Sequence, residues 1–439
     1  MFQSCSYRRY DKINSRDIRW PNSLSETVIS TSLESARRLA VTKQHLAGNV
    51  PQKPTREHIL SVVRDLCYVQ WDPIDAVAPS HVISFWSRIG NFRLSDLDGL
   101  LWETKELFLH WTPIASIALM EDLPIYASMM KRYPESLSDS WGGQKKRARA
   151  FLAAHAELRR RILSELKRGP LELSEFGDYV RTKRSTDGWS SGSDVSAMLF
   201  HLLMSGDVMI VGHRGHQNIW GLSAEFLPPQ VRRQELTEEE FEREAAQRAI
   251  RALGTATPRE IHLYFPRGRY LNLKKTLAQL QEASAIHRVH VADLGGRDER
   301  YVHDQDVPLL ESMSADGWQP RMTLLAPFDT LINSTGRTDR LFGFHYIHEN
   351  FLPPNKRKFG TYVHPILWGD RLIGRVDLLL DKKNEKLLVK SVHAERGAPG
   401  DKDVSSKIGE TIEAFAGFLG AKKVAYSARV PTAWKSSLR

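Results

Sequence analysis

The spacing at which hydrophobic residues recur along the chain changes once, near Met322. This change limits which fold classes the chain can adopt. Before that point apolar side chains recur at helical spacing, and groups of helices are followed by short alternating stretches. After it the period falls to two, with turn residues at Gly369, Asp370, Lys383 and Asn384. The pattern predicts serial helical units, then a small antiparallel sheet or barrel, and a last helix that ends at Gly420.

The helical part reads as a diverged internal repeat. The first unit has two helices, one from Leu33 with a serine N-cap and one after Thr55, followed by extended chain. That order is typical of a winged helix, although a plain helical bundle opens in the same way. A second unit ends its helix at Gly206 before a two-stranded wing, and a third starts a helix at Thr257 and Pro258.

The predicted fold class is α+β, with three tandem winged-helix units followed by a small antiparallel β-barrel. A length of 439 residues suits several modules at roughly 150 residues each. The predicted divisions are a basic disordered leader (1–30), a first winged-helix unit (31–150), a second (151–235), a third (236–320), and the β-barrel with its C-terminal helix (321–439).

The net charge and the cysteine content limit which binding partners and which metal or disulfide sites the chain can have. Lys and Arg number 62 against 52 acidic residues, a net charge of +10, which favours a polyanion, nucleic acid ahead of a membrane surface. Two cysteines, Cys5 and Cys67, cannot make a disulfide framework or a thiolate zinc site. We therefore expect no metal and no cofactor. The first residues are basic and polar without the apolar stretch of a secretory signal, and no apolar run reaches about eighteen residues, so we expect a cytoplasmic protein without a membrane span.

The segment LCYVQWDPIDAVAPS, residues 66–80, is the most informative for chemistry. In an extended chain alternate side chains face opposite sides, so Cys67, Val69 and Trp71 would form a core face, opposite Tyr68, Gln70 and Asp72. A carboxylate and an amide about 7 Å apart along a strand can hold one water between them. The plain structural alternative is that Asp72 and Pro73 merely start a turn.

The sequence resembles the AlkZ/YcaQ-type winged-helix DNA glycosylases, in their Gln-x-Asp branch (YcaQ/AlkX-like). The resemblance begins at QWDP and the VAPSH that follows, and continues in GPLELSEF, GWSSGSDVSAMLFHLLMSGDVMIVGHRG, RALGTATPREIHLYF and LLAPFDTLINSTGRTDRLFGFHY. It implies three winged-helix units curved around DNA and hydrolysis of the N-glycosidic bond of alkylated purines, including interstrand cross-links, for base excision repair. Gln70 and Asp72 would be the catalytic pair.

One departure from the family concerns the segment ELFLHWTPIASIAL. The family usually has a His two residues after the Trp, where this chain has Pro113, and His110 precedes Trp111 instead. The departure bears on substrate range more than on the reaction. We expect Tyr68, His110 and Trp111 to line the site, although His110 and Trp111 can equally be a packed pair.

Basic clusters supply candidate DNA contacts. The strongest is PPNKRKFGTYV, read as a hairpin over residues 355–360 in which Lys356, Arg357 and Lys358 track phosphates and Phe359 or Tyr362 wedges against a base. Any single cluster can also be a solvated face. The other predicted contacts are Arg181, Lys183 and Arg184 in a loop, and His213 and Arg214, with His216, at a wing tip.

Two other functions compete with the glycosylase. A winged-helix transcription regulator would need no Gln70 or Asp72, but would usually dimerise through a long helix, and no heptad stripe suits one. A nuclease would need several clustered carboxylates to bind its metal ions, and the acidic residues of this sequence are dispersed. The predicted partner is double-stranded DNA with alkylated purines, bound by a nucleoid-associated monomer.

Overall fold

The computed structural model describes residues 28–72, 74, 76–112, 114–137, 143–181, 193–215, 217–228, 231, 235–295, 298–427, 430–435 and 438, and only the backbone of 178–181. The described chain forms two compact units. Unit 1 contains residues 98–246 and 262–279, and unit 2 contains residues 28–97, 247–261 and 280–438. Each unit is discontinuous in sequence. The five divisions predicted along the chain stay a prediction.

The first helices begin where their capping residues predicted. Ser32 Oγ accepts the Ser35 N–H (3.0 Å) at the start of α1, and Thr55 caps α2. Regular structure starts inside the predicted leader, because β1 pairs in parallel with a later strand; residues 1–27 lie outside the described chain. The elements are β1 (Ile29–Thr31), α1 (Leu33–Lys43), α2 (Arg56–Leu66), β2 (Val69–Gln70), α3 (Ser80–Ile89), α4 (Leu94–Asp98), β3 (Leu107–Trp111), β4 (Ala115–Leu119) and α5 (Leu123–Lys131).

The next segment contains the predicted helix followed by two antiparallel strands. Gly206 follows the helix in a left-handed conformation (φ +75°) that favours glycine, and a Cβ there would lie 2.8 Å from Met130 Sδ and force that side chain to shift. A core of Ile162, Leu166, Leu199 and Leu202 packs the helices against the strands that follow. The elements are α6 (Gln144–Ala154), α7 (Ala156–Leu166), β5 (Leu171–Glu172), α8 (Asp194–Ser205), β6 (Val208–Arg214), β7 (Gln217–Leu222) and α9 (Ser223–Phe226). The three strands form one sheet in the order β5-β7-β6.

The third segment also starts its second helix as predicted, at Pro258. Its first strand pairs with β1 on one side and with the following strand on the other, giving the sheet order β1-β8-β9. The elements are α10 (Glu238–Leu253), α11 (Pro258–Tyr264), α12 (Leu273–Glu282), β8 (Ile286–Val291), β9 (Arg300–His303) and α13 (Val307–Ser312). Among the described residues no helix is both long and apolar enough to cross a membrane.

The C-terminal sheet is confirmed, but as an open half-barrel rather than a closed antiparallel barrel. Its five strands lie in the order β10-β11-β12-β13-β14, so β10 and β14 are edges, and the β13–β14 pair is parallel. Parallel pairing follows from the long helix that crosses between those two strands. The elements are β10 (Met322–Leu324), α14 (Thr335–Phe342), β11 (Val363–Trp368), β12 (Arg371–Asp381), β13 (Lys386–Ala394), α15 (Lys402–Phe418) and β14 (Lys423–Tyr426).

Candidate functional site

The Gln-x-Asp segment follows α2 directly, and its conformation differs from the extended strand expected. Cys67 ends α2 in a left-handed conformation (φ +66°), and only Val69 and Gln70 form β2. The predicted alternation of faces is therefore wrong. Tyr68 is as buried as Val69, whereas Trp71, assigned to the core, is only half-buried. Alternation requires a strand with one buried face and one exposed face. Here Cys67 turns the chain and both residues of β2 are buried, so the segment has no exposed face.

Gln70 and Asp72 are both buried in unit 2, 5% and 0% exposed. Asp72 Oδ1 accepts the backbone N–H of Ile74 (3.1 Å), which fixes the orientation of the carboxylate by an Asx turn. Gln70 Oε1 has no hydrogen-bond partner among the residues that the structure describes. A buried carbonyl oxygen without a partner loses its hydration without compensation, so Gln70 Oε1 remains able to accept a hydrogen bond.

The loop that follows Asp72 is closed at its base by two contacts. The Ser80 N–H donates to the Asp72 carbonyl oxygen (3.2 Å), and the rings of Trp71 and His81 stack with centroids 4.1 Å apart at 13°. These contacts bring the first turn of α3 onto the Gln-x-Asp segment. Pro73, the second residue of the turn considered from the sequence, lies outside the described residues.

Tyr68 connects the segment to a residue that sequence reasoning assigned no role. The Asn333 side-chain amide donates to the Tyr68 hydroxyl (2.9 Å), just before α14 begins. Asn333 lies in the LINSTGR stretch that carried the family resemblance, 265 positions along the chain from Tyr68. Only the fold could pair two residues so far apart.

His110 and Trp111 lie in unit 1, on β3. Burial lowers the pKa of His110 to about 3, with a further contribution from the Arg269 charge, so the ring is neutral at physiological pH. Neither ring nitrogen has a hydrogen-bond partner among the described residues, and Tyr126 meets the ring edge to face at 5.4 Å. Trp111 packs edge to face on Phe200 (5.4 Å). Pro113, the departure from the family pattern, lies outside the described residues.

The basic segment PPNKRKFG is a pinned loop and not the predicted hairpin. A 3-10 turn covers Pro354–Lys356, and Glu349 Oε2 accepts the N–H groups of Phe359 (2.7 Å) and Gly360 (3.1 Å). Arg357 is used inside the loop, since its Nε donates to the carbonyl oxygens of Glu349 (3.1 Å) and Leu352 (2.9 Å). The carboxylate and the guanidinium fix the loop backbone between them.

Pinning leaves two of the three predicted cations exposed, Lys356 and Lys358. Phe359 is half-buried, with the Arg375 guanidinium 4.2 Å from its ring centroid and the Lys358 ammonium at 4.9 Å. Tyr362 is only 2% exposed, so its predicted wedge role is wrong: its ring belongs to the core of the sheet, 5.5 Å from that of His364. Phe359 is the remaining candidate wedge.

The other predicted DNA contacts are in part engaged already or lie outside the description. Arg214 Nη1 pairs with Glu172 (2.7 Å), and His213 Nε2 lies 3.8 Å from Asp98, both in unit 1. The side chain of Arg181 and all of Lys183, Arg184 and His216 lie outside the described residues. Within the described ranges no group of three or more His, Cys, Asp or Glu side chains could hold a metal ion.

Comparison with known proteins defines the class first. A family model described as DNA glycosylase AlkZ-like matches residues 63–418. The chain therefore belongs to the AlkZ-like DNA glycosylase family, which hydrolyses N-glycosyl bonds in DNA. Among solved structures, the Streptomyces sahachiroi DNA glycosylase AlkZ is similar, with a TM-score of 0.62 and 17% sequence identity over 92% of this chain and all of that one. The likeness at that identity supports the α+β fold and no finer property.

Proposed function

We propose that this protein hydrolyses the N-glycosidic bond of N7-alkylated purines in duplex DNA, both monoadducts and interstrand cross-links, with Gln70 and Asp72 as its catalytic residues. The proposal depends on one observation above all. Gln70 Oε1 is buried without a described partner, two residues before a buried carboxylate that a backbone N–H holds in place. A water molecule supplies the donor that the amide oxygen lacks and the proton that the carboxylate can accept.

The chemistry suits such a pair. Alkylation at N7 makes the purine cationic, so the electron pair of the C1′–N9 bond leaves with the base and cancels that charge. No general acid is required. The sugar left behind is an oxocarbenium-like cation, which the Asp72 carboxylate stabilises, as carboxylates do in glycoside hydrolysis. The oxygen of the water bonds to C1′ and its proton passes to Asp72, which leaves an intact abasic site, the product of a monofunctional enzyme.

DNA binding is proposed for surfaces outside the pair. We infer that the helix groups and small sheets built on β3–β4, β5–β7 and β8–β9 are three winged-helix modules. The exposed Lys356 and Lys358 would neutralise phosphates, and Phe359 would contact the lesion's flank. Arg181, Lys183, Arg184, His213 and Arg214 are proposed as further backbone contacts of a monomer that works at the nucleoid.

The direct test is excision from a duplex that carries a single N7-methylguanine. In buffer with excess EDTA, we expect abasic sites, and strand breaks only after alkaline treatment. A metal-dependent strand break at neutral pH would instead support the nuclease. Binding of undamaged, sequence-specific duplex without excision would support the transcription regulator.

Gln70→Ala should slow excision roughly 10- to 100-fold at saturating DNA, because water still enters the site but is no longer oriented. The measurement is a single-turnover rate with N7-methylguanine duplex. Gln70→Leu is the matched variant, since it removes the amide and nearly keeps the volume. Equal losses in both assign the effect to the amide, whereas a loss in Gln70→Ala alone would assign it to a cavity. A Gln70 variant slower than Asp72→Asn would reverse the proposed roles.

Lys356→Ala with Lys358→Ala should reduce the slope of log affinity against log salt by about two, because each cation that neutralises a phosphate contributes about 0.9 to the slope. Binding should weaken equally for damaged and undamaged duplex. Arg357 is left unchanged because it holds the loop. The control is Lys382→Ala with Lys383→Ala, which removes the same charge from the exposed β12–β13 turn. Equal slopes for the two double variants would remove the loop from the DNA interface.

A further inference from the structure

Helix α3 begins with a buried hydroxyl that the helix itself does not use. Ser80 is the first residue of α3 and is 1% exposed, while the N-cap position is held by Pro79, which has no side-chain acceptor. Ser80 Oγ has no hydrogen-bond partner among the residues described. A serine at the start of a helix usually acts as its N-cap. A buried hydroxyl without a hydrogen-bond partner lowers the stability of the fold. Such a group in a folded protein requires an explanation.

The position of Ser80 in unit 2 supplies that explanation. Its N–H donates to the Asp72 carbonyl oxygen (3.2 Å), and its neighbour His81 stacks on Trp71. The hydroxyl is therefore carried on the residue that closes the loop at Asp72. Gln70 Oε1, on the other side of Asp72 in the chain, is another buried polar atom without a described partner. These two groups belong to residues joined to Asp72, Gln70 through the chain and Ser80 through its N–H bond to the Asp72 carbonyl oxygen. Their chemistry is complementary, because the amide oxygen only accepts and the hydroxyl can donate.

We propose that Ser80 is a positioning residue for the attacking water, which it holds together with Gln70. This inference rests on the proposed glycosylase function and deepens it. One hydrogen of the water is donated to Gln70 Oε1, and the other is donated to Asp72 and transferred to it. The Ser80 hydroxyl donates to one lone pair of the water oxygen. The remaining lone pair forms the bond to C1′ as the C1′–N9 pair leaves with the purine. Every hydrogen and lone pair of the water then has one place to go.

Ser80→Ala should slow single-turnover excision of N7-methylguanine about tenfold at saturating DNA, while duplex affinity stays unchanged, because the water is still bound but less well oriented. Its melting temperature should stay level or rise, because the variant removes a buried polar group that had no partner. A slower enzyme that is no less stable is the signature of a group kept for function.

Ser87→Ala is the matched control on the same helix. Ser87 is equally buried, 1% exposed, but its hydroxyl donates to the Ser84 carbonyl oxygen (3.0 Å) and accepts from Arg88 Nη1 (3.1 Å). We expect this variant to melt at a lower temperature and to excise at the wild-type rate. In addition, Ser80→Ala and Gln70→Ala should combine to less than the product of their separate losses, since both act on one water.

The outcomes separate this inference from the function on which it rests. If the wild type excises, Asp72→Asn does not, and Ser80→Ala matches the wild type, the Ser80 role is overturned and the glycosylase stands. If Ser80→Ala lowers both melting temperature and rate, as a structural residue would, the positioning role is likewise overturned. If the wild type excises nothing, the proposed function fails, and the Ser80 role fails with it.

Discussion

Asp72→Asn is expected to reduce single-turnover excision about 10³-fold, the scale on which one preorganised electrostatic group acts on a transition state. The substitution keeps the shape of the side chain and an oxygen able to accept the Ile74 N–H, so the Asx turn survives. What it removes is the negative charge next to the sugar cation and the acceptor for the proton of the water. Affinity for the damaged duplex should stay within about threefold, because the lost interaction is made in the transition state.

A charge-matched control separates this effect from a general one. Asp401 caps α15 through its Oδ1, which accepts the Val404 N–H (2.9 Å), so Asp401→Asn also deletes one charge and keeps an acceptor. That variant should excise at the wild-type rate. Excision by Asp72→Asn at more than a tenth of the wild-type rate would contradict the proposed mechanism, and so would a loss explained by weaker DNA binding alone.

The parts of the fold that sequence predicted are those set by local chemistry. Ser32, Thr55 and Pro258 each begin a helix through a cap or a fixed φ, and Gly206 ends one through a backbone conformation that favours glycine. Each of these signals acts within one helical turn, so it can be recognised from the sequence without knowledge of the tertiary packing. The strands of the C-terminal sheet could be predicted for a similar reason, because turn residues separate stretches in which hydrophobic and polar residues alternate.

The errors arose where distant contacts decide the structure. Cys67 adopts a left-handed conformation that a non-glycine residue rarely shows. No local sequence signal therefore predicted that β2 would be only two residues long. Lys356 and Arg357 look alike in a basic cluster, yet only the fold shows that Arg357 bonds to the loop itself. Only the resemblance to a family points to Gln70 and Asp72 as catalytic, since the residue pattern alone favours a turn.

The second large effect concerns the ion pair that anchors α3. Arg88 and Asp329 are both fully buried in unit 2, and two bonds join them, Nη1–Oδ2 (2.7 Å) and Nη2–Oδ1 (2.9 Å). Arg88→Met leaves the Asp329 carboxylate buried without its cation, which should cost about 3–5 kcal/mol of unfolding free energy. Thermal unfolding should show a midpoint lower by roughly 10 °C. Lys407→Met, at an exposed pair with Asp403, is the control and should leave the midpoint almost unchanged.

A second substitution tests the cause. Arg88→Met with Asp329→Leu removes both charges, so it should recover part of the stability lost in the single variant, because the cost lies in the uncompensated charge more than in the missing pair. A double variant that is less stable than Arg88→Met would contradict that account. Arg88 lies more than two turns of α3 from Ser80, so the single variant should lose excision only in proportion to its unfolded fraction. Below its midpoint, the rate per folded molecule should match the wild type, because the first turn of α3 keeps its own contacts to Trp71 and Asp72.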